Sequence, residues 1–124
     1  MQQLVLVMVG GAIGAGARFA LGQAVAARVP SAFPFATLGI NLIGCLAMGA
    51  LTAWLARHGA GEPLRLLLGV GVLGGFTTFS AFSLDWWQLV ERGQLGAAAA
   101  YVAFSLIGAL AAFVLGLAVV RAVP

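Results

Sequence analysis

Gly74-Gly-Phe-Thr-Thr-Phe-Ser-Ala-Phe-Ser83 is the stretch on which the reading of this chain turns. It lies within an apolar run long enough to cross a bilayer, yet it carries two adjacent glycines and four hydroxyls, Thr77, Thr78, Ser80 and Ser83. Phe76, Phe79 and Phe82 recur at every third position. Hydrocarbon offers no hydrogen bonds, so such a segment must be buried in protein or line a polar path. The glycine pair predicts a helix break at Gly74-Gly75. A helix broken inside a membrane frees carbonyls that suit a hard cation such as Na+. Phe79 and Phe82 share one helical face, and aromatic edges carry partial positive charge, so the pair can face an anion without trapping it. Packing or lipid contact is the plainer use of such rings.

Composition extends this to the whole chain. Of the 124 residues 63% are hydrophobic and 7% are charged, and mean hydropathy is +1.12. Soluble domains carry about 25% charged residues. A membrane helix takes about 20 apolar residues, so four spans use most of the chain and leave no room for a soluble domain. The predicted fold is all-α: a single four-helix transmembrane domain over residues 1–124, with spans at about 4–27, 35–56, 64–90 and 95–120. The apolar runs are continuous rather than alternating, which argues against a membrane β-barrel. Glu62-Pro63 marks the start of the third span, with an acid near the positive end of the helix dipole. Ala24-Val-Ala26 resembles a signal-peptide cleavage site, but the preceding run is long, contains Arg18 and lacks a basic lead, so the first span is read as retained.

The charges are six arginines and no lysine against Glu62, Asp85 and Glu91. They form no cluster of the kind that binds nucleic acid. With the N-terminus placed inside, Arg57, Arg65 and Arg121 fall on inner ends and loops, and Arg28 and Arg92 on outer ones. Orientation in a membrane follows a clear basic excess on one side, and three against two is hardly one. Two readings remain: one orientation with a weak signal, or insertion both ways, from which an antiparallel two-fold dimer can form. The 18 glycines include small-xxx-small faces at Gly10/Gly14 and Ala12/Gly16, the spacing at which membrane helices approach closely. Four short helices enclose little by themselves, which favours a dimer or larger assembly.

Other residues stand out against the apolar background. Arg18 lies deep in the first span, where a charge faces a bundle interior or a water-filled cavity, or snorkels. Thr37 and Asn41 share a face of the second span, and Asn41 is the one asparagine in the chain. Tyr101 and Ser105 repeat the spacing in the fourth. These are two short, uncharged rows of donors, fit to glue helices or to meet an anion. Cys45, the single cysteine, excludes an intrachain disulfide and reads as a small buried hydrophobe. There is no metal-ligand cluster and no nucleophile–base pair in the sequence, and nothing in it reads as an enzyme.

Taken together these residues resemble the Fluc (CrcB) family of small fluoride channels along essentially the whole chain. The resemblance rests on Gly10-Gly-Ala-Ile-Gly14 with Arg18, on Thr37-Leu-Gly-Ile-Asn41-Leu-Ile-Gly44, and above all on Gly74 to Ser83. It implies an antiparallel, dual-topology homodimer with the third helix broken in mid-membrane and two fluoride pathways. It implies that Phe79 and Phe82 turn ring edges toward fluoride, that Asn41 donates to the ion, and that Ser80, Thr37, Tyr101 and Ser105 extend the polar track. A structural sodium ion at the dimer centre would be held by main-chain carbonyls of Gly74 and Thr77, and Arg18 matches the family's first-helix arginine. The implied role is passive fluoride export across a bacterial inner membrane. Cys45 stands where the family often has serine, and Asp85 where a longer acid is expected. Two rivals are a small dual-topology multidrug-type transporter, which needs a carboxylate where the first span has only Arg18, and a non-transporting membrane scaffold subunit, which leaves the polar patch unexplained.

Overall fold

The computed structural model describes residues 1–59 and 61–123. Four helical spans follow one another: α1 (Gln2–Arg28), α2 (Phe35–His58), α3 (Glu62–Glu91) and α4 (Leu95–Ala122), each long and apolar enough to cross a membrane. At about 1.5 Å per residue each exceeds the roughly 30 Å hydrocarbon core, so the spans have length to spare for tilt. The connections are short. Gly59 (φ 58°) ends α2 and Gly93 (φ 71°) turns α3 into α4. At the second turn the Gly93 N–H reaches Val90 O at 2.9 Å and the Gln94 N–H reaches Leu89 O at 2.9 Å, a helix end that requires a residue free to adopt positive φ.

α3 is two helices in one span. Its first half begins as Glu62–Leu64 with Pro63 in the opening turn, widens into a π-helix over Arg65–Leu73, and ends as Gly74–Phe76. Thr77 and Thr78 are extended, and the second half runs Phe79–Glu91. The break therefore lies at Thr77-Thr78 and not at the glycines expected to cause it. Gly74 is right-handed helical (φ −64°, ψ −38°). Gly75 serves close packing instead: a Cβ on it would lie 2.6 Å from Gly11 O.

Packing pairs the spans as α1 with the first half of α3 and α2 with α4. Both pairs rest on backbone contact that only glycine permits. Gly10 and Gly71 approach so closely that a Cβ on Gly71 would stand 2.9 Å from Gly10 Cα. Across the other pair Gly49 abuts Phe113 O, and Gly116 abuts Leu46 O. The Gly10/Gly14 face is the one used; Gly16, on the alternative face, meets no atom within 4 Å. Gly14→Leu is thus expected to lever α1 off α3, because its Cβ would fall 2.8 Å from Phe76 N and onto Val72 O. A backbone cannot yield as a side chain does, so the cost should exceed the ~1–3 kcal/mol of ordinary overpacking. Size-exclusion profiles in detergent check this, with Gly16→Ala as the silent control.

The buried cluster lies between the second half of α3 and α4, where Phe82, Leu89, Ala98 and Tyr101 pack together. Tyr101 has no exposed surface. Most of the remaining apolar surface faces outward, as lipid-facing helices require.

Candidate functional site

The site begins with one hydrogen-bonded clamp. Asn41 on α2 faces the break, where its Nδ2 donates to Thr78 O at 3.0 Å and its Oδ1 accepts from the Thr78 N–H at 2.8 Å. A carboxamide is the shortest side chain offering both a donor and an acceptor in one plane, so it pairs with the peptide group as another backbone would. The hydroxyl of Thr78 caps the second half by accepting from the Ala81 N–H at 3.2 Å and lies 3.2 Å from Ser80 Oγ.

These bonds redirect two donors. In an uninterrupted α-helix the Thr78 N–H would go to Gly74 O and the Ala81 N–H to Thr77 O. Here they go to Asn41 and to the Thr78 side chain. The Gly74 and Thr77 carbonyls are left without those helical donors among the described residues. Leu73 O, by contrast, accepts from both the N–H and the hydroxyl of Thr77, each at 3.0 Å. The Gly75 and Phe76 carbonyls equally lose the Phe79 and Ser80 N–H groups as helical donors among the described residues, so the break by itself does not single out the two carbonyls that the resemblance assigns to sodium.

Two cavities meet at the break. The inner one, about 210 Å³, is lined by Asn41, Cys45, Thr77, Thr78, Phe79, Phe82 and Ser105 among others. The outer one, about 450 Å³, opens between α1 and α2 and is lined by Arg18, Thr37, Thr78 and Ala81 among others. Thr78 lines both.

In the inner cavity the Phe79 and Phe82 rings lie 5.2 Å apart at 42°. Phe82 is buried at 8% exposure whereas Phe79 stands 71% exposed. The Ser105 hydroxyl is buried and has no partner among the described residues, a state that costs about 1–3 kcal/mol unless a ligand or water meets it. The structure therefore gathers Asn41, Phe79, Phe82 and Ser105 around one space and places Thr37 and Arg18 around the other.

Tyr101 and Ser80 line neither cavity. Tyr101 donates to Asp85 Oδ2 at 3.2 Å, with its ring 5.1 Å from that of Phe82 and set edge-on to Phe33. This braces Phe82 from behind and accounts for Asp85, whose role sequence alone left open. Thr78 and Cys45 line the inner cavity without belonging to the donor rows evident in the sequence. A hydroxyl residue just before a helical run is the N-cap signal that marks Thr78; the position of Cys45 beside the cavity has no such signal.

Four apolar spans, a helix broken within the third and uncharged donors around the space beside the break define a small multi-pass membrane protein with a cavity at the interruption of its third span. The family described as "CrcB-like protein, Camphor Resistance (CrcB)" matches residues 5–117. A protein of Sphingopyxis alaskensis named "Fluoride-specific ion channel FluC" is 54% identical, covering 100% of this chain and 99% of its own length. Others of the same name, from Novosphingobium aromaticivorans and Mesorhizobium japonicum, are 55% and 46% identical, covering 94% and 100% of this chain and of their own lengths. The chain belongs to the CrcB-like family.

Proposed function

We propose that this protein is a fluoride-specific ion channel and not an enzyme. One observation carries the reading: the space at the break is lined by uncharged donors and aromatic rings together with a few apolar side chains and has no charged residue among its described lining, in a chain that aligns end to end with proteins named fluoride-specific ion channels. Fluoride is small and strongly hydrated, so a pore must replace its water without holding it. A pore conducts only if it binds weakly enough to release. Ring edges, hydroxyls and an amide meet both demands. Asn41 keeps one N–H of its amide for an ion once the other is spent on Thr78. The Ser105 hydroxyl and the edges of Phe79 and Phe82 complete the inner passage. Thr37 stands on the approach, and Ser80 and Tyr101 support the track from outside it.

The working unit in this reading is an antiparallel homodimer of dual topology in a bacterial inner membrane. Support comes from the near-balance of loop arginines and from Phe79, whose exposed ring leaves the inner cavity open to a second copy. Two such copies contribute four carbonyls, from Gly74 and Thr77 of each, to a sodium ion that joins the two breaks. Hydrogen fluoride enters a cell as a neutral acid and dissociates, and the channel lets the anion leave down its gradient.

The decisive experiment is efflux from liposomes containing the purified protein. Fluoride but not chloride leaves; well-folded protein in vesicles that stay sealed to fluoride would refute the function. Labelling of terminal cysteine tags from both membrane faces checks the dual topology, and one-sided labelling would refute it.

A further inference from the structure

One wall residue of the inner cavity has no part in the passage of Asn41, Ser105 and the two rings. Cys45 is free and only half-buried. It lies four residues beyond Asn41, one turn or about 6 Å further along α2 on the same face. It therefore continues the line of Thr37 and Asn41. A thiol passes for a hydrophobe in a sequence, so that line shows only once the cavity does. Cys45 borders the space of about 210 Å³ that Ser105 borders from α4. One turn past Cys45 the two helices close on each other, Gly49 against Phe113 O and Gly116 against Leu46 O. The thiol thus stands where the space narrows.

The Ser105 hydroxyl is a second, independent sign of a ligand in this space. Ser105 is 7% exposed, and its Oγ has no partner among the described residues. Buried polar groups are as a rule hydrogen-bonded, so this one calls for something to meet. Cys45 adds another short donor to the same space, weaker than the hydroxyl because S–H donates poorly. Filled space would serve packing; open space bordered by a thiol and an orphaned hydroxyl serves a ligand.

We propose that Cys45 is a further ion-contacting residue of the passage, its S–H meeting fluoride at the narrow end together with the Ser105 hydroxyl. This assignment rests on the channel reading. A weak donor suits the position: an ion is most easily trapped where the walls are closest, and conduction requires release. The same sulfur gives a soft cation a ligand. Methylmercury needs one thiol only. A sulfur–mercury bond forms as the S–H bond breaks, and the proton leaves to water.

Fluoride efflux from liposomes is measured against fluoride concentration for the parent, Cys45→Ala and Cys45→Ser. Cys45→Ala should raise the half-saturating concentration by about twofold to tenfold. Cys45→Ser should bring it back to the parent's value or below, because a hydroxyl replaces a weaker donor. Methylmercury should add once to the parent, more slowly in saturating fluoride, and stop its flux until excess free thiol strips it off. It should leave Cys45→Ser conducting. The parent supplies the mercury result even if both variants fail to fold. A half-saturation unmoved by Cys45→Ala, or a serine variant more impaired than the alanine one, would overturn the role of Cys45. So would a parent that takes up no mercury, conducts fully with the adduct shown by mass spectrometry, or is labelled equally fast with and without fluoride. A parent that passes no fluoride before treatment would instead overturn the channel reading.

Discussion

Asn41→Leu should destabilise the protein by about 2–6 kcal/mol and abolish measurable fluoride flux. Leucine is close in size to asparagine but makes neither bond to Thr78, so the Thr78 N–H and C=O lose their partners together. An orphaned buried polar group costs about 1–3 kcal/mol, and lipid supplies no water in compensation. The break can answer only by shifting, and Phe79, Phe82 and the carbonyls freed at the break shift with it. Thermal unfolding in detergent measures the first effect and liposome efflux the second. Asn41→Asp, which can still accept from the Thr78 N–H but has no donor for its carbonyl, should fall between leucine and the parent. A leucine variant that melts and conducts like the parent would show that the break holds its shape without α2.

The aromatic pair gives the other large effect. An edge-on aromatic contact is worth about 0.5–1.5 kcal/mol, so replacing one ring with isoleucine should lower flux by up to about tenfold, and replacing both by up to about a hundredfold if the losses add. The two positions differ in a way that separates function from stability. Phe79 is 71% exposed in the single chain and Phe82 only 8%. Phe79→Ile should leave folding untouched, whereas Phe82→Ile gives up packing against Tyr101 as well. Efflux and size-exclusion, measured together, check both. Unchanged flux in the double variant would remove the rings from the pathway.

Much of this was legible in the sequence because it follows from local composition. Four apolar runs give four spans, and Glu62-Pro63 opens the third. The Gly10/Gly14 spacing marks the face that meets α3. The donors at Asn41 and Ser105 stand out because an amide and a hydroxyl are conspicuous among leucines. The position of the break is not legible in this way, since glycine loosens a helix in any environment and the pair at Gly74-Gly75 is the obvious weak point. Both glycines remain helical, and Gly75 brings the backbone of α3 against α1. What ends the helix is a partner 37 residues away in the chain, Asn41, and no reading of the third span alone contains it.

By itself, the sequence determined that this chain is a four-span membrane helix bundle with an interrupted third span and a sparse set of uncharged donors, because hydropathy and residue chemistry act over a few neighbouring positions. Tertiary structure decided where the interruption falls, which carbonyls it frees and which donors share a cavity. Those outcomes depend on the amide of one helix reaching the peptide group of another. Such a pairing is set by the distance between packed backbones, and that distance exists only once the glycine faces have closed.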